Sequence, residues 1–250
     1  MKTILFTIFN LFIAITCFGF NPSDTNKVDA SGKKTGIWKE RLNKLEFYGN
    51  YINDKKEGVW VAYHPNGVVS SIAEYKNGKR NGITINIDQN AHHTSRENYK
   101  DDELDGLSVN YGSGSMLQQK TNYKMGRMHG VRVVYYSDGK PQEEGKYQNG
   151  VRDGVTRWYA AEGYVSIEYT YKNGMLDGMQ RTYYKNGNIN SEVKYVNNLE
   201  EGEYTEYHEK GAVKISGKYV KGQKDGKWEE FDEDGKPVKT EVYKNGELQK

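Results

Sequence analysis

The side chains of this 250-residue chain that are best suited to metal or acid–base chemistry include five histidines. His92 and His93 are adjacent, beside Asn90 and near Asp88, and two neighbouring imidazoles in a loop bind a metal only weakly without further ligands. The other histidines share no ligand spacing with this pair: His64, His129 and His208. We interpret the pair as solvated loop residues and predict no metal site and no cofactor.

A set of carboxylates is more regular, because each directly precedes a glycine of a 24-residue series: Glu57, Asp105, Asp153, Asp177, Glu201 and Asp225. Two carboxylates one repeat apart would be separated by roughly 10 Å if each repeat adds two strands, which is near the upper end for an inverting glycosidase. A regular ladder offers no cleft that would raise the pKa of either group, so we interpret them as turn residues. Because the sequence also lacks a Gly-x-Ser-x-Gly elbow, a Walker loop and a dinucleotide fingerprint, we predict that the protein is not an enzyme.

The glycine series defines an internal repeat. Its members, called unit glycines below, follow one another at intervals of 24 residues, with Gly36 lying 22 residues before the first: Gly58, Gly82, Gly106, Gly130, Gly154, Gly178, Gly202 and Gly226. A fixed period of this size is typical of a repeat architecture. The repeats therefore decide the fold.

Each repeat contains two aromatic positions and several turn signals. The fifth residue after the unit glycine is aromatic in all repeats but one, and the seventeenth is always tyrosine: Tyr75, Tyr99, Tyr123, Tyr147, Tyr171, Tyr195, Tyr219 and Tyr243. Two runs rich in Tyr, Val, Ile, Thr and Trp are separated by Asn-Gly, Asp-Gly or similar pairs, which indicates a β-hairpin with type I′ turns. A lone hairpin cannot bury its apolar side. We therefore predict an all-β fold, an elongated single-layer antiparallel meander or β-hairpin solenoid of about nine 24-residue repeats over residues 36–250.

Alternation along each strand predicts two different faces. In the early repeats the first, third and fifth residues after the unit glycine are apolar and are predicted to face the core: Val59, Val61, Tyr63, Ile83, Ile85, Ile87, Val131, Val133 and Tyr135. This face becomes polar from Arg157 and Arg181 onward. The second, fourth and sixth residues include aromatics among polar side chains, which we predict to bind a partner: Trp60, Tyr136, Trp158, Tyr184, Tyr204 and Trp228. The alternative, in which long side chains partly cover both faces, stays open.

Composition argues against a nucleic-acid partner. The chain has 36 Lys and Arg against 34 Asp and Glu, a net charge of +2, whereas a nucleic-acid-binding face needs a clear basic surplus. A basic face for membrane-surface binding is lacking for the same reason.

The amino terminus predicts export. One lysine, Lys2, precedes an apolar run from Ile4 to Phe18, which is too short and too weakly apolar for a stable membrane span and is typical of a signal peptide. We predict a signal peptide over residues 1–19, with cleavage before Phe20, and a polar leader over residues 20–35. Cys17 is an alternative site of lipid attachment. The mature chain would have no transmembrane span and would reside in the periplasm, on the cell surface or outside the cell.

The repeat resembles the MORN repeat variant found in bacterial proteins. The stretches "EGVWVAYHPNGVVSSIAEYKNGKRNG" and "DGKWEEFDEDGKPVKTEVYKNGELQK" carry its pattern of Gly, Trp two residues on, a further aromatic, a mid-repeat Gly and a closing Tyr-x-x-Gly. Departures include Ala91 and Asp102 at glycine positions. The resemblance implies an antitoxin-like role, since the bacterial family is labelled as antitoxins of toxin–antitoxin systems.

Two candidate functions are compatible with this sequence. The first is a scaffold that binds a protein partner through its extended sheet, as solenoids commonly do. The second is a binder of cell-envelope carbohydrate, because tandem aromatic hairpins are similar to choline-binding-type wall modules. Those modules have paired aromatics in every unit, which this chain lacks, so protein binding is the leading prediction.

Overall fold

The structure is a computed structural model that describes residues 25–250. The predicted signal peptide and Cys17 lie outside these residues. The described chain forms 21 β-strands, which pair antiparallel, and one 3-10 turn at Ser113–Ser115. The predicted all-β antiparallel meander is confirmed. Within residues 25–250 no helix has the length and apolarity needed to cross a membrane.

The strands belong to two compact units. Unit 1 comprises the described residues up to His92 together with Tyr99–Asp102. Each of its strands pairs antiparallel with the next one along the chain. The strands are β1 (Lys27–Val28), β2 (Lys34–Leu42), β3 (Leu45–Ile52), β4 (Lys55–Tyr63), β5 (Val69–Lys76) and β6 (Lys79–Ile87).

Unit 2 comprises His93–Asn98 and Glu103–Lys250 and continues the same pattern. From β9 onward every strand pairs with the next in antiparallel order, and β7 also pairs with β9. The strands are β7 (His93–Lys100, whose last two residues belong to unit 1), β8 (Glu103–Leu104), β9 (Gly106–Tyr111), β10 (Leu117–Lys124), β11 (Arg127–Tyr135), β12 (Pro141–Gln148), β13 (Val151–Tyr159), β14 (Val165–Lys172), β15 (Met175–Tyr183), β16 (Ile189–Val196), β17 (Leu199–Tyr207), β18 (Val213–Val220), β19 (Gln223–Phe231), β20 (Pro237–Lys244) and β21 (Glu247–Leu248).

The tight turns have the predicted backbone. Both central residues have positive φ, as at Asn77 (53°) and Gly78 (86°), which a type I′ turn requires. Asp102 keeps this geometry in place of glycine with φ of 73°. The turn in the middle of a repeat is closed by His64 N–H to Val68 O at 2.8 Å and Gly67 N–H to His64 O at 2.9 Å. There Ala91 adopts φ of 66° where most repeats have glycine.

The unit glycines lie within strands, and this differs from the prediction that they belong to turns. Gly58 (φ 72°) and Gly178 (φ 132°) have positive φ inside β4 and β15, and a register shift marks a β-bulge beside each one. A bulge residue with positive φ favours glycine because it has no Cβ. The 24-residue period of glycine therefore records a bulge at seven of the eight unit glycines, and Gly106, the exception, begins β9.

Five of the six carboxylates before the unit glycines also lie in strands, which corrects their interpretation as turn residues, and Asp105 lies between β8 and β9. Glu57 Oε2 accepts a hydrogen bond from Asn77 N–H at 2.7 Å, and Glu201 Oε2 accepts one from Lys221 N–H at 2.9 Å. The donor is in each case the first central residue of the next tight turn, 20 residues on. Asp105 and Asp153 make the same contact with Met125 N–H and Asn173 N–H. These carboxylates hold successive tight turns together.

We expect Glu201→Ala to lower the free energy of unfolding by about 1 kcal/mol, because Lys221 N–H loses its acceptor. Glu203→Ala is the matched control, since Glu203 is exposed in the same strand and surface changes are usually within about 0.5 kcal/mol. Urea denaturation measures both. Equal shifts in the two variants would show that the carboxylate contributes nothing through this hydrogen bond.

Part of the predicted polar leader has defined structure. Residues 25–35 include β1, whose Lys27 and Val28 pair with Thr35 and Lys34. Asn26 extends this pairing, because its backbone N–H donates to Ile37 O and its side chain bonds both Lys39 N–H and Lys39 O. These residues cover part of the outer edge of β2.

Candidate binding surfaces

Strand pairing defines the two faces of the sheet. The tryptophan face carries Trp60, Ala62, Ala73 and their equivalents, together with the tyrosine column that includes Tyr51 and Tyr75. The valine face carries Val59, Val61, Ile72 and their equivalents.

A row of directly paired residues along the tryptophan face contains most of the buried residues in the described chain, residues 25–250. In unit 1 it runs Trp60–Ala73–Thr84, and in unit 2 it runs Ser108–Thr121–Arg132–Gly145–Thr156–Tyr169–Gln180–Val193–Tyr204–Gly217. Thr156 is 0% exposed and Trp60 is 3% exposed. Of the nine residues predicted to face the core, only Val61 is buried, and the other eight are half-buried.

The prediction of the core face was therefore wrong, and the reason is physical. A single layer of strands has no second layer packed against it. A side chain is therefore buried only when larger side chains on the same face surround it. Gly217 is paired with Tyr204 and lies against the Trp228 ring, and Thr156, which is 0% exposed, is paired with Tyr169. Aliphatic side chains such as Val59 and Ile83, on the valine face, stay half-exposed.

The six residues predicted to bind a partner make contacts within the chain. Trp60 and Trp228 were predicted to bind a partner, but their side chains are only 3% and 5% exposed. Neither ring is therefore accessible to a partner. The hydroxyls of Tyr136 and Tyr184 donate to backbone carbonyls of the following repeat, each at 2.7 Å. The two others remain half-buried on the tryptophan face: Trp158 and Tyr204.

Rings on the tryptophan face form edge-to-face series. In unit 1, Tyr51 lies 5.6 Å from Trp38 and 5.1 Å from Trp60 between ring centroids. In unit 2, Trp228 lies edge-to-face with Tyr219 at 5.1 Å, whereas it stacks on Tyr204 at 5.4 Å with an interplanar angle of 27°. Edge-to-face pairs add roughly 0.5–1.5 kcal/mol each beyond their buried area. The pKa of Tyr51 is raised mainly by burial and, secondly, by its hydrogen bond to Glu40.

A second column, which sequence reasoning missed, places cations over these rings. The residue two before the unit glycine is basic in several repeats. Lys56 Nζ lies 3.8 Å from the Trp60 centroid, Arg80 Cζ lies 3.8 Å from that of Tyr99, and Lys224 Nζ lies 4.1 Å from that of Trp228. The signal was present in the sequence as Lys34, Lys56, Arg80, Arg152 and Lys224 at one repeat position.

The valine face differs between the two units. In unit 1, Val61, Ile72 and Ile85 are direct cross-strand partners, so their side chains form an aliphatic patch. In unit 2, the equivalent positions become a series of alternating charges: Glu144, Arg157, Glu168, Arg181 and Glu192. Its ion pairs include Arg157–Glu168 at 2.8 Å and Arg181–Glu192 at 3.0 Å.

The histidines do not form a common site. His64 and His208 each bond a backbone carbonyl of the following repeat, at 2.9 and 3.0 Å. His92 Nδ1 lies 3.3 Å from Asp88 Oδ2 within its own turn. Over residues 25–250 no group of three or more potential metal-ligating side chains comes together.

Comparison with known families identifies four of the repeats. Four segments match the family described as the MORN repeat variant: residues 56–77, 128–149, 176–197 and 224–245. No curated protein matches the chain. Among solved structures, the chain is similar to a porin-like protein from Bacteroides uniformis, with 9% identity, 84% of this chain and 91% of that chain covered, and a TM-score of 0.20. At that TM-score the likeness carries no argument.

Proposed function

We propose that this protein is an exported, non-enzymatic repeat scaffold that binds a protein partner through the valine face of unit 1. The aliphatic patch formed by Val61, Ile72 and Ile85 carries the proposal. Ile72 and Ile85 remain half-exposed, and a contiguous exposed apolar patch is typical of a protein interaction site.

The patch extends to neighbouring strands. Val59 and Ile83, each one residue after a unit glycine, lie on the same face and are also half-exposed. Tyr48 is the cross-strand partner of Val61 and adds an aromatic ring beside the patch. Covering these side chains would contribute roughly 25 cal/mol for each Å² of apolar surface removed from water.

The carbohydrate alternative loses support. Sugars bind proteins by stacking on exposed rings, and the rings of Trp60 and Trp228 are covered by the chain itself. Neither the matched repeat family nor the porin-like protein is described as an antitoxin, so an antitoxin-like role is not part of the proposal. Export rests on the apolar run from Ile4 to Phe18.

The proposal is tested by capture of envelope proteins on immobilised protein. Ile85→Lys places a charge in the aliphatic patch, and Val133→Lys places one at the equivalent position of unit 2. We expect Ile85→Lys to abolish capture of the partner and Val133→Lys to retain it, with both variants keeping the circular dichroism spectrum of the wild type. Undiminished capture by Ile85→Lys would contradict the proposed surface.

A further inference from the structure

The column of cations on the tryptophan face is interrupted in unit 2. In the repeats of Lys34, Lys56 and Lys224, the basic side chain lies over a tryptophan two residues after the glycine and near the next tyrosine of the column. Arg80 and Arg152 have a threonine at that ring position instead. Lys224 Nζ is 4.1 Å from the Trp228 centroid and 5.0 Å from that of Tyr243. Lys56 Nζ has the same relation to Trp60 and Tyr75, at 3.8 and 5.6 Å.

Glu200 occupies this position in the repeat that begins at Gly202. The equivalent rings are present, since Tyr204 and Tyr219 have centroids 5.9 Å apart. On the other side, Tyr195 is the cross-strand partner of Glu200, and its hydroxyl donates to Glu200 Oε1 at 2.9 Å. The repeat thus keeps the rings but replaces the cation with a carboxylate.

The Glu200 carboxylate has no cation of its own. No Lys, Arg or His of residues 25–250 forms an ion pair with it. Other glutamates of β17 are already engaged, because Glu201 accepts Lys221 N–H and Glu206 pairs with Lys214 at 2.7 Å. Strand β17, with the sequence LEEGEYTEY, contains four glutamates and no basic residue.

The local electrostatics favour a positive ligand. Ring faces of tyrosine carry negative potential and attract cations, and Glu200 adds a full negative charge. The pKa of Tyr195 is raised mainly by burial and, secondly, by the hydrogen bond and charge of Glu200. The pKa of Tyr219 is raised mainly by burial and, secondly, by the charge of Glu200. Both shifts keep the phenols neutral.

We propose that Glu200, Tyr195, Tyr204 and Tyr219 form a binding site for a lysine or arginine side chain of a partner protein. The cation enters the position that Lys56 and Lys224 fill in their own repeats, over the ring of Tyr204 and against the carboxylate of Glu200. The site lies on the tryptophan face of unit 2 and goes beyond the proposed function, which concerns the valine face of unit 1.

The test uses a fluorescent Gly-Ser peptide with three lysines and the same peptide with three glutamines. Binding to the full chain is measured by fluorescence anisotropy. We expect the wild type to bind the lysine peptide and not the glutamine peptide, with binding weakened at about 1 M salt, where the screening length falls to about 3 Å.

The decisive variant is Glu200→Lys, which supplies the cation that other repeats have. It should weaken lysine-peptide binding about tenfold or more, because a cation–π contact and a carboxylate are both lost, while the melting temperature is unchanged or raised. Glu203→Lys makes the same charge change in the same strand on the valine face and should weaken binding less than about twofold.

Three results would overturn the inference: no binding of the lysine peptide by the wild type, equal binding of both peptides, or equal weakening in Glu200→Lys and Glu203→Lys. The last would mean that only net charge matters. The Ile85→Lys variant separates the two proposals, since it should bind the lysine peptide as the wild type does, whether or not it captures the partner of the valine face.

Discussion

Deletion of residues 154–177 is expected to leave a folded chain, whereas deletion of residues 154–165 is expected to unfold unit 2. The 24-residue deletion joins Asp153 to Gly178, so a carboxylate again precedes a unit glycine. Glu144, which pairs with Arg157, would then face Arg181 at the equivalent position. Repeat proteins tolerate such a loss because each repeat contacts chiefly its neighbours.

The 12-residue deletion removes one strand and the turn at residues 160–164. Every later tight turn would then lie at the opposite side of the sheet, where the Asp153–Asn173 contact and its equivalents cannot form. Circular dichroism with urea denaturation measures both variants. If the two deletions give the same loss of structure, the repeat of two strands is not the unit of folding in this protein.

Gly217→Ala is expected to destabilise unit 2 by about 3 kcal/mol, because cores respond strongly to added atoms that cannot be accommodated. A Cβ at Gly217 would overlap the Trp228 ring, and that ring is held by Tyr204, Tyr219 and Tyr243. Gly145→Ala is the matched control, since a Cβ there meets Thr156 Oγ1 at 3.0 Å. Gly145→Ala should lower the free energy of unfolding by less, because the Thr156 side chain can move aside more easily than the packed indole of Trp228.

A double variant tests the cause of the effect. Trp228→Thr alone should be destabilising, as the loss of a buried aromatic usually is. The double variant Gly217→Ala/Trp228→Thr should lose less free energy of unfolding than the sum of the two single variants, because the added methyl group no longer overlaps a ring. Additive losses in urea denaturation would show that the contact between Gly217 and Trp228 does not limit stability.

The strands and turns of this fold could be predicted from the order of the amino acids. Type I′ turns need positive φ at two successive residues, and pairs such as Asn77-Gly78 meet that need locally. The 24-residue period then predicts a meander, because identical hairpins pair best with their own neighbours. Neither inference depends on which side chains meet across the sheet, and both are confirmed.

The candidate surfaces could not be predicted in this way, because they depend on contacts that form only in the folded protein. Burial in a single layer depends on the height of neighbouring side chains, so the polar Thr156 is fully covered while the apolar Ile83 is not. The role of Glu57 depends on a turn 20 residues away. The site around Glu200 depends on the register that brings Tyr195, Tyr204 and Tyr219 together from three strands. Periodicity locates each of these residues within its repeat, but the contacts between repeats decide what each one does.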